Sequence, residues 1–241
     1  MRSDNPSARL FSILENGKKI SSTSKCRAAW QELLNVDPSD HALLMSRLGK
    51  MMELPDQIIN TVKSDFPNQL KTCNHWKSQV TKAFMTQDLN GQWATFIGQI
   101  DGHALNYLNI TTELLQTTAI TKLLNDEELS ELRDSINKLL QETVESDIPD
   151  DIKKYVTGNL HKMLLHIDEY TITGAQPIMD SVDIMFGHAF SNDDYRNYLS
   201  GNDLGVNLVN TLTAVAATVT IVLGVPQLPE AFSNILKLVQ K

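Results

Sequence analysis

Apolar positions along this chain recur at steps of three and four, the spacing of one buried face on an α-helix. The pattern is clearest over residues 125–173. Leu129, Leu132, Ile136, Leu139, Leu140 and Val144 form one series, and Ile152, Val156, Leu160, Met163, Ile167 and Tyr170 form a second. Ser146-Asp147-Ile148-Pro149 separates them. Asn125 is placed to cap the first helix, and Glu128, three residues on, completes a capping box. Two long helices joined by so few residues pack antiparallel as a hairpin. Tyr170-Thr171-Ile172-Thr173 is β-branched at three positions out of four and is expected to fray into extended chain before Gly174.

The same reading extends to both sides. Arg9–Asn16 is a short helix closed by Gly17, and Ser24 is expected to cap a helix through Trp30 and Leu34. Asp37-Pro38 reads as cap and first residue of a helix carrying Leu43, Leu44, Leu48, Met51 and Met52. Pro55 and Pro67 are each expected to restart the chain. The stretch Pro67–Met85 puts Leu70, Cys73, Val80 and Phe84 near one face, and Asp88-Leu89-Asn90-Gly91 is a turn. Trp93, Phe96, Ile97 and Ile100 follow helical spacing that Gly98 and Gly102 weaken, and Leu105, Leu108 and Leu115 then resume the helical period. Ala175–Phe190 is a helix with Ile178, Val182, Met185 and Phe186 inward, and Ser191–Gly201 reads as a polar hinge.

These elements predict an all-α multi-helix bundle of about eight to ten helices, with a central antiparallel hairpin and an apolar C-terminal helix. The expected organisation is a helical bundle over residues 1–200, with a sub-boundary near 87–124, and a C-terminal segment over 201–241. No fixed-period repeat and no βαβ alternation is visible.

Composition changes this picture at one place. From Leu204 to Pro229 there is no charged residue. The part from Leu204 to Val225 is 22 residues, against the ~20 that a bilayer span requires. Asn207 and Asn210 interrupt it, Pro226 and Pro229 end it, and Ala231–Gln240 reads as a short amphipathic helix with Ile235, Leu236 and Val239. Three readings are open: a fully buried central helix, a segment that enters a bilayer, or a subunit interface. Gly201 and Gly205 have the spacing that lets helices approach closely. The many Val, Ile and Thr residues also tolerate extended chain. Were the segment to span a membrane, Lys237 and Lys241 would keep the chain's end in the cytoplasm.

Charge is uneven. The formal net charge is −8. Residues 1–100 carry 12 basic and 9 acidic residues, whereas residues 101–241 carry 9 and 20. Acidic residues cluster at Asp126–Glu131, Glu142–Asp151 and Asp193-Asp194, as solvated first-turn acids or as a surface for a basic partner. A net anion argues against general nucleic-acid binding. Hydrophobic residues at 41% and charged residues at 21% exclude a disordered, collagen-like or multi-span chain. Met1–Ile20 carries no signal-type apolar run, so a cytoplasmic location is expected, or membrane association through the C-terminal segment. The Asn109-Ile110-Thr111 sequon is then silent. Cys26 and Cys73 read as reduced thiols.

The motif search assigns no catalytic, cofactor-binding or metal-binding residue. There is no phosphate loop, G-x-G-x-x-G, G-x-S-x-G, H-E-x-x-H or CxxC. His161 and His166 lie about 140° apart on a helix. His166 with Tyr170, and His103 with Tyr107, stand four residues apart, where contact is expected. Asp180 and Asp183 lie three apart on a helix, with His188 five residues further, a carboxylate pair of the kind that binds a divalent cation or divides acid and base roles. Cys73-Asn74-His75-Trp76 puts a thiol and an imidazole on different helix faces. Trp30, Trp76 and Trp93 fall on apolar stripes and belong to the core.

The block Ile148-Pro149, then Leu160, Leu164 and Ile167, then Tyr170-Thr171-Ile172-Thr173-Gly174 resembles a pattern found in uncharacterised bacterial helical proteins. The resemblance covers residues 124–190. Some such proteins occur among phage-defence and mobile-element genes, which implies an antiviral accessory or effector role and transfers no site residue. The expected function is therefore a non-enzymatic interaction or assembly protein, binding a protein partner or itself through C-terminal helices. The alternative is a membrane-perturbing effector that inserts residues 204–225 into a bilayer.

Overall fold

A computed structural model describes residues 4–118 and 122–224. The chain is all-α, with twelve α-helices among the described residues. It forms two compact units, Arg2–Ile120 and Thr121–Lys241.

The first unit contains α1 (Pro6–Gly17), α2 (Cys26–Leu33), α3 (His41–Asp65), a 3-10 turn (Pro67–Gln69), α4 (Leu70–Thr86), α5 (Ala94–Ile97) and α6 (Gly102–Gln116). Helices α1, α3, α4 and α6 pack pairwise in a closed ring. Asn5 caps α1 by accepting from the Ala8 amide, with Pro6 in the first turn where no N–H is needed. The expected caps of the next two helices move. No side chain caps α2; instead the Cys26 and Arg27 amides donate to the Gly91 and Leu89 carbonyls, so the 88–91 turn satisfies these free donors. The Ser24 carbonyl is spent on the Trp93 amide. Asp37 folds onto Ser39 in a local turn, and Asp40 caps α3 through the Leu43 amide. Pro55 does not restart the chain but lies inside α3. Met51, Leu54, Ile58 and Val62 are buried on either side of it, and that burial outweighs the ~3 kcal/mol an internal proline costs.

All three tryptophans are fully buried in this unit. Trp30 lies against Phe84, Trp93 and Phe96, with ring centroids 5.8, 5.1 and 4.7 Å away. Its indole N–H donates to Gln87 Oε1 at 2.8 Å, and that of Trp93 donates to the Gly17 carbonyl at 2.8 Å. Buried Arg47 donates to the Leu34 and Asn35 carbonyls, and so closes the end of α2 where Asn35 takes a left-handed φ of 49°.

The second unit contains α7 (Asp126–Glu145), α8 (Asp150–Asp168), α9 (Tyr170–Thr173), α10 (Gln176–Ser191), α11 (Asp193–Gly201) and α12 (Asp203–Leu223). The α7–α8 hairpin forms, and Asn125 and Glu128 make the reciprocal capping box. The ring closes from α8 to α10, from α10 to α12 and from α12 back to α7.

Four expectations change here. Val144 is 55% exposed, and Thr143 takes the inward position by returning its hydroxyl to the Leu139 carbonyl. Residues 170–173 form a helical turn, because Tyr170 and Ile172 are buried and the Leu124 amide donates to the Tyr170 hydroxyl at 2.9 Å. Ser191–Gly201 is not a hinge: Asn192 caps α11, which buries Tyr195, Tyr198 and Leu199. Within the described part of 201–241, α12 is not set apart from the bundle, since it supplies Leu208, Leu212, Val215, Val219 and Val222 to the core of the second unit. Of the two C-terminal glycines, only Gly205 serves a close approach, against α11. Pro226, Pro229 and the amphipathic stretch Ala231–Gln240 lie outside the described residues.

Candidate functional site

The residues picked out by their chemistry do not converge. Asp180 and Asp183 are exposed on α10; Asp180 accepts from Gln176 Nε2 at 2.8 Å. Partial burial, and then the charge of Asp180, push the Asp183 carboxyl up. His188 is not with them, because its ring stacks on Tyr155 at 3.9 Å between centroids. Cys73 is buried beside the Gln69 carbonyl and Thr111, while exposed His75 turns to Asp101 and Gln79. Burial raises the Cys26 thiol, which disfavours the reactive thiolate. His161 Nδ1 donates to the Thr157 carbonyl one turn back. Tyr107 packs against His75 across helices, with centroids 5.7 Å apart.

The packing of α8 on α10 creates a pair that spacing alone does not reveal. His166 Nδ1 lies 2.9 Å from Ser181 Oγ. The Ser181 hydroxyl donates to the Pro177 carbonyl at 3.0 Å, so His166 Nδ1 donates to Ser181. An activated nucleophile needs the opposite sense, with serine donating to histidine. Ser181 is also only 4% exposed, which leaves no path for a substrate. The pair therefore clamps two helices. Replacing Ser181 with Ala removes both bonds of its hydroxyl and should cost about 1–3 kcal/mol in urea unfolding.

A cavity of about 580 Å³ lies between the hairpin turn and the start of α12, lined by Asp147, Asp151, Asp194, Asn197, Tyr198 and Asn202. Asp151 and Asp194 sit in the first turns of α8 and α11, where the helix dipole already stabilises them. No group of three His, Cys, Asp or Glu able to hold a metal occurs among the described residues.

The outstanding surface is the outer face of α12. Its inner face is buried, but Val206 is 42% and Ile221 64% exposed, and Asn210 and Ala214 are exposed between them. After Asp203 this helix carries no charge on any face. Beside it runs a groove of about 470 Å³, lined by Lys122, Leu124 and Glu131 on one wall and by Ala214, Thr218 and Ile221 on the other. Of the three readings open for this run, the fully buried central helix gives way to a half-buried one. Its inward residues were legible as an apolar run; which face stays outside depends on α7, α10 and α11 packing on the other. The chain matches no protein-family model, no curated protein and no solved structure.

Proposed function

We propose that this chain is a non-enzymatic interaction protein, and that its contact surface is the outer face of α12. One observation carries the reading. Surface helices normally present charge to water, yet this one keeps an uncharged outer stripe along its length, with two branched apolar side chains in solvent. The resemblance of residues 124–190 is in keeping with a cytoplasmic accessory or effector role in bacterial antiviral defence.

The test is a photo-cross-linking residue placed at Ile221 or Val206 of the full chain in cells. A discrete adduct heavier by one protein is expected at both positions and not at Met85, which is more exposed than either, at 75%, on α4. Absence of any protein adduct at the two α12 positions would sink the reading.

A second reading has its own support. α12 has 21 residues, and its mean hydropathy reaches 1.8, enough for a bilayer span by length and composition. On this reading the chain is a membrane-perturbing effector. Insertion would require Leu208, Leu212, Val215 and Val219 to leave the core. Vesicle flotation and dye release separate the two: the interaction reading expects neither, and the effector reading expects both.

A further inference from the structure

We infer that the cavity between the hairpin turn and the start of α12 binds a small organic polycation, an alkyl chain carrying ammonium groups. The site lies wholly within the second unit and does not depend on the outer face of α12.

Its lining is of two kinds. Asp147, Asp151 and Asp194 stand exposed around the mouth, and none of the three carboxylates has an ion pair or hydrogen bond with any described residue. Ile148, Ile152 and Leu204 supply an apolar wall, with Ile152 buried. No lysine or arginine lines the cavity. One cation comes near, but Lys153 donates to the Val144 and Ser146 carbonyls and so closes the end of α7. Exposed carboxylates alone make only a solvated surface. Tyr198 makes this surface a site. Asp194, Asn197, Tyr198 and Gly201 all line the cavity, and their spacing puts them on one face of α11, so Tyr198 is aimed at it. Tyr198 is only 6% exposed, and its hydroxyl is shielded from water without a hydrogen-bond partner among the described residues. No other side chain of the lining is left in that condition. A buried hydroxyl with no partner is costly, and a phenol oxygen accepts as well as donates. A ligand that brings an N–H to Tyr198 therefore supplies what the free protein lacks.

Chemistry selects the occupant. Three carboxylates repel an anion. The starts of α8 and α11 offset them with only about half a positive charge each, so negative charge remains in excess. A bare metal ion finds no group of three His, Cys, Asp or Glu able to hold it among the described residues. It would also leave the apolar wall unused, whereas an alkyl stem covers it while its charged ends stay near water. Ammonium groups only donate, which suits carboxylates that only accept and a phenol oxygen with free lone pairs. The volume of about 580 Å³ is that of a small-molecule site. Because the mouth is open to water, binding is weak, with a Kd of about 0.1–1 mM at low ionic strength, and added salt weakens it further.

Isothermal titration calorimetry of the full chain with spermidine, which carries three ammonium groups on alkyl stems, tests the site. One-to-one binding is expected. Hexanediol, a neutral stem, and magnesium chloride, each at the same ionic strength, should bind at least about tenfold more weakly. Asp151→Asn and Asp194→Asn should each weaken spermidine binding about threefold, the worth of an ion pair open to water. Glu127→Gln, an exposed acid at the far end of α7, should leave it unchanged. Tyr198→Phe is the decisive variant. It deletes a hydroxyl that has no partner, so the thermal midpoint should hold or rise while binding weakens about tenfold. A Tyr198→Phe chain that melts earlier or fails to fold would show the hydroxyl to be structural and overturn the proposal. So would unchanged spermidine binding by that variant. Equal binding of magnesium, or an equal loss at Glu127→Gln, would reduce the effect to diffuse attraction and overturn it as well. No binding up to about 10 mM spermidine would end it outright.

Discussion

Replacing Trp30 with Ala is expected to destabilise the first unit by about 3–5 kcal/mol, the cost of emptying a fully buried aromatic site. The side chain is in contact with three other aromatic rings, so the cavity cannot collapse without moving Phe84, Trp93 or Phe96. It also leaves Gln87 Oε1 without its 2.8 Å indole donor. Trp30→Phe should recover part of the loss, since it refills most of the volume and restores no donor. The measurement is convenient. Trp30, Trp76 and Trp93 are the chain's only tryptophans and all lie in the first unit. Urea unfolding followed by the emission of Trp76 and Trp93 therefore reports on that unit. A midpoint shift worth less than 1 kcal/mol would show that the aromatic cluster is not the packing centre described here.

Gly205→Ala is expected to destabilise the second unit by about 3 kcal/mol, the upper end of overpacking costs. A methyl group there would run into the Tyr198 carbonyl oxygen and stand 2.8 Å from its carbon. Both are backbone atoms of α11, so α11 and α12 must separate rather than a side chain turn aside. The same substitution at Gly158, an exposed position of α8 with nothing within 4 Å of the added carbon, is the control. There Ala should stabilise by up to about 1 kcal/mol through helix propensity. Opposite signs are thus expected from one chemical change, read as thermal midpoints by far-ultraviolet circular dichroism. Equal effects at the two glycines would deny the close approach of α11 and α12.

Much of the architecture was legible because it is local. The capping box at Asn125 and Glu128, the break at Ser146–Pro149 and the inward series from Ile152 to Tyr170 each need only a few neighbouring residues. Features that depend on distant partners were not. Ser24 looked like a cap, but the amides of α2 are met by the 88–91 turn, more than sixty residues along the chain. Pro55 looked like a break, but burial on both sides holds α3 together. The 191–201 stretch looked polar because Asn192, Asp193, Asp194, Arg196 and Asn197 outnumber its apolar residues, yet Tyr195, Tyr198 and Leu199 bury enough surface to anchor a helix. The His166–Ser181 pair needed the contact between α8 and α10. The uncharged run around α12 was plain in the sequence, and its division into a core face and an outer face was not.

The closed ring of the second unit also bears on how the chain is made. Helices α7, α8 and α10 emerge in order, but the ring is joined only when α12 reaches α7 and α10. Chains are synthesised at about 5–20 residues per second, so for some seconds the nascent unit carries an open seam of apolar side chains. Leu132, Ile136 and Leu139 of α7 and Val182 and Met185 of α10 belong to the core cluster that Leu208, Leu212 and Val215 complete. A ribosome stalled between Gly201 and Leu223 would hold out an unfinished core. Chaperone capture should peak on nascent chains of that length and fall once α12 has cleared the exit tunnel.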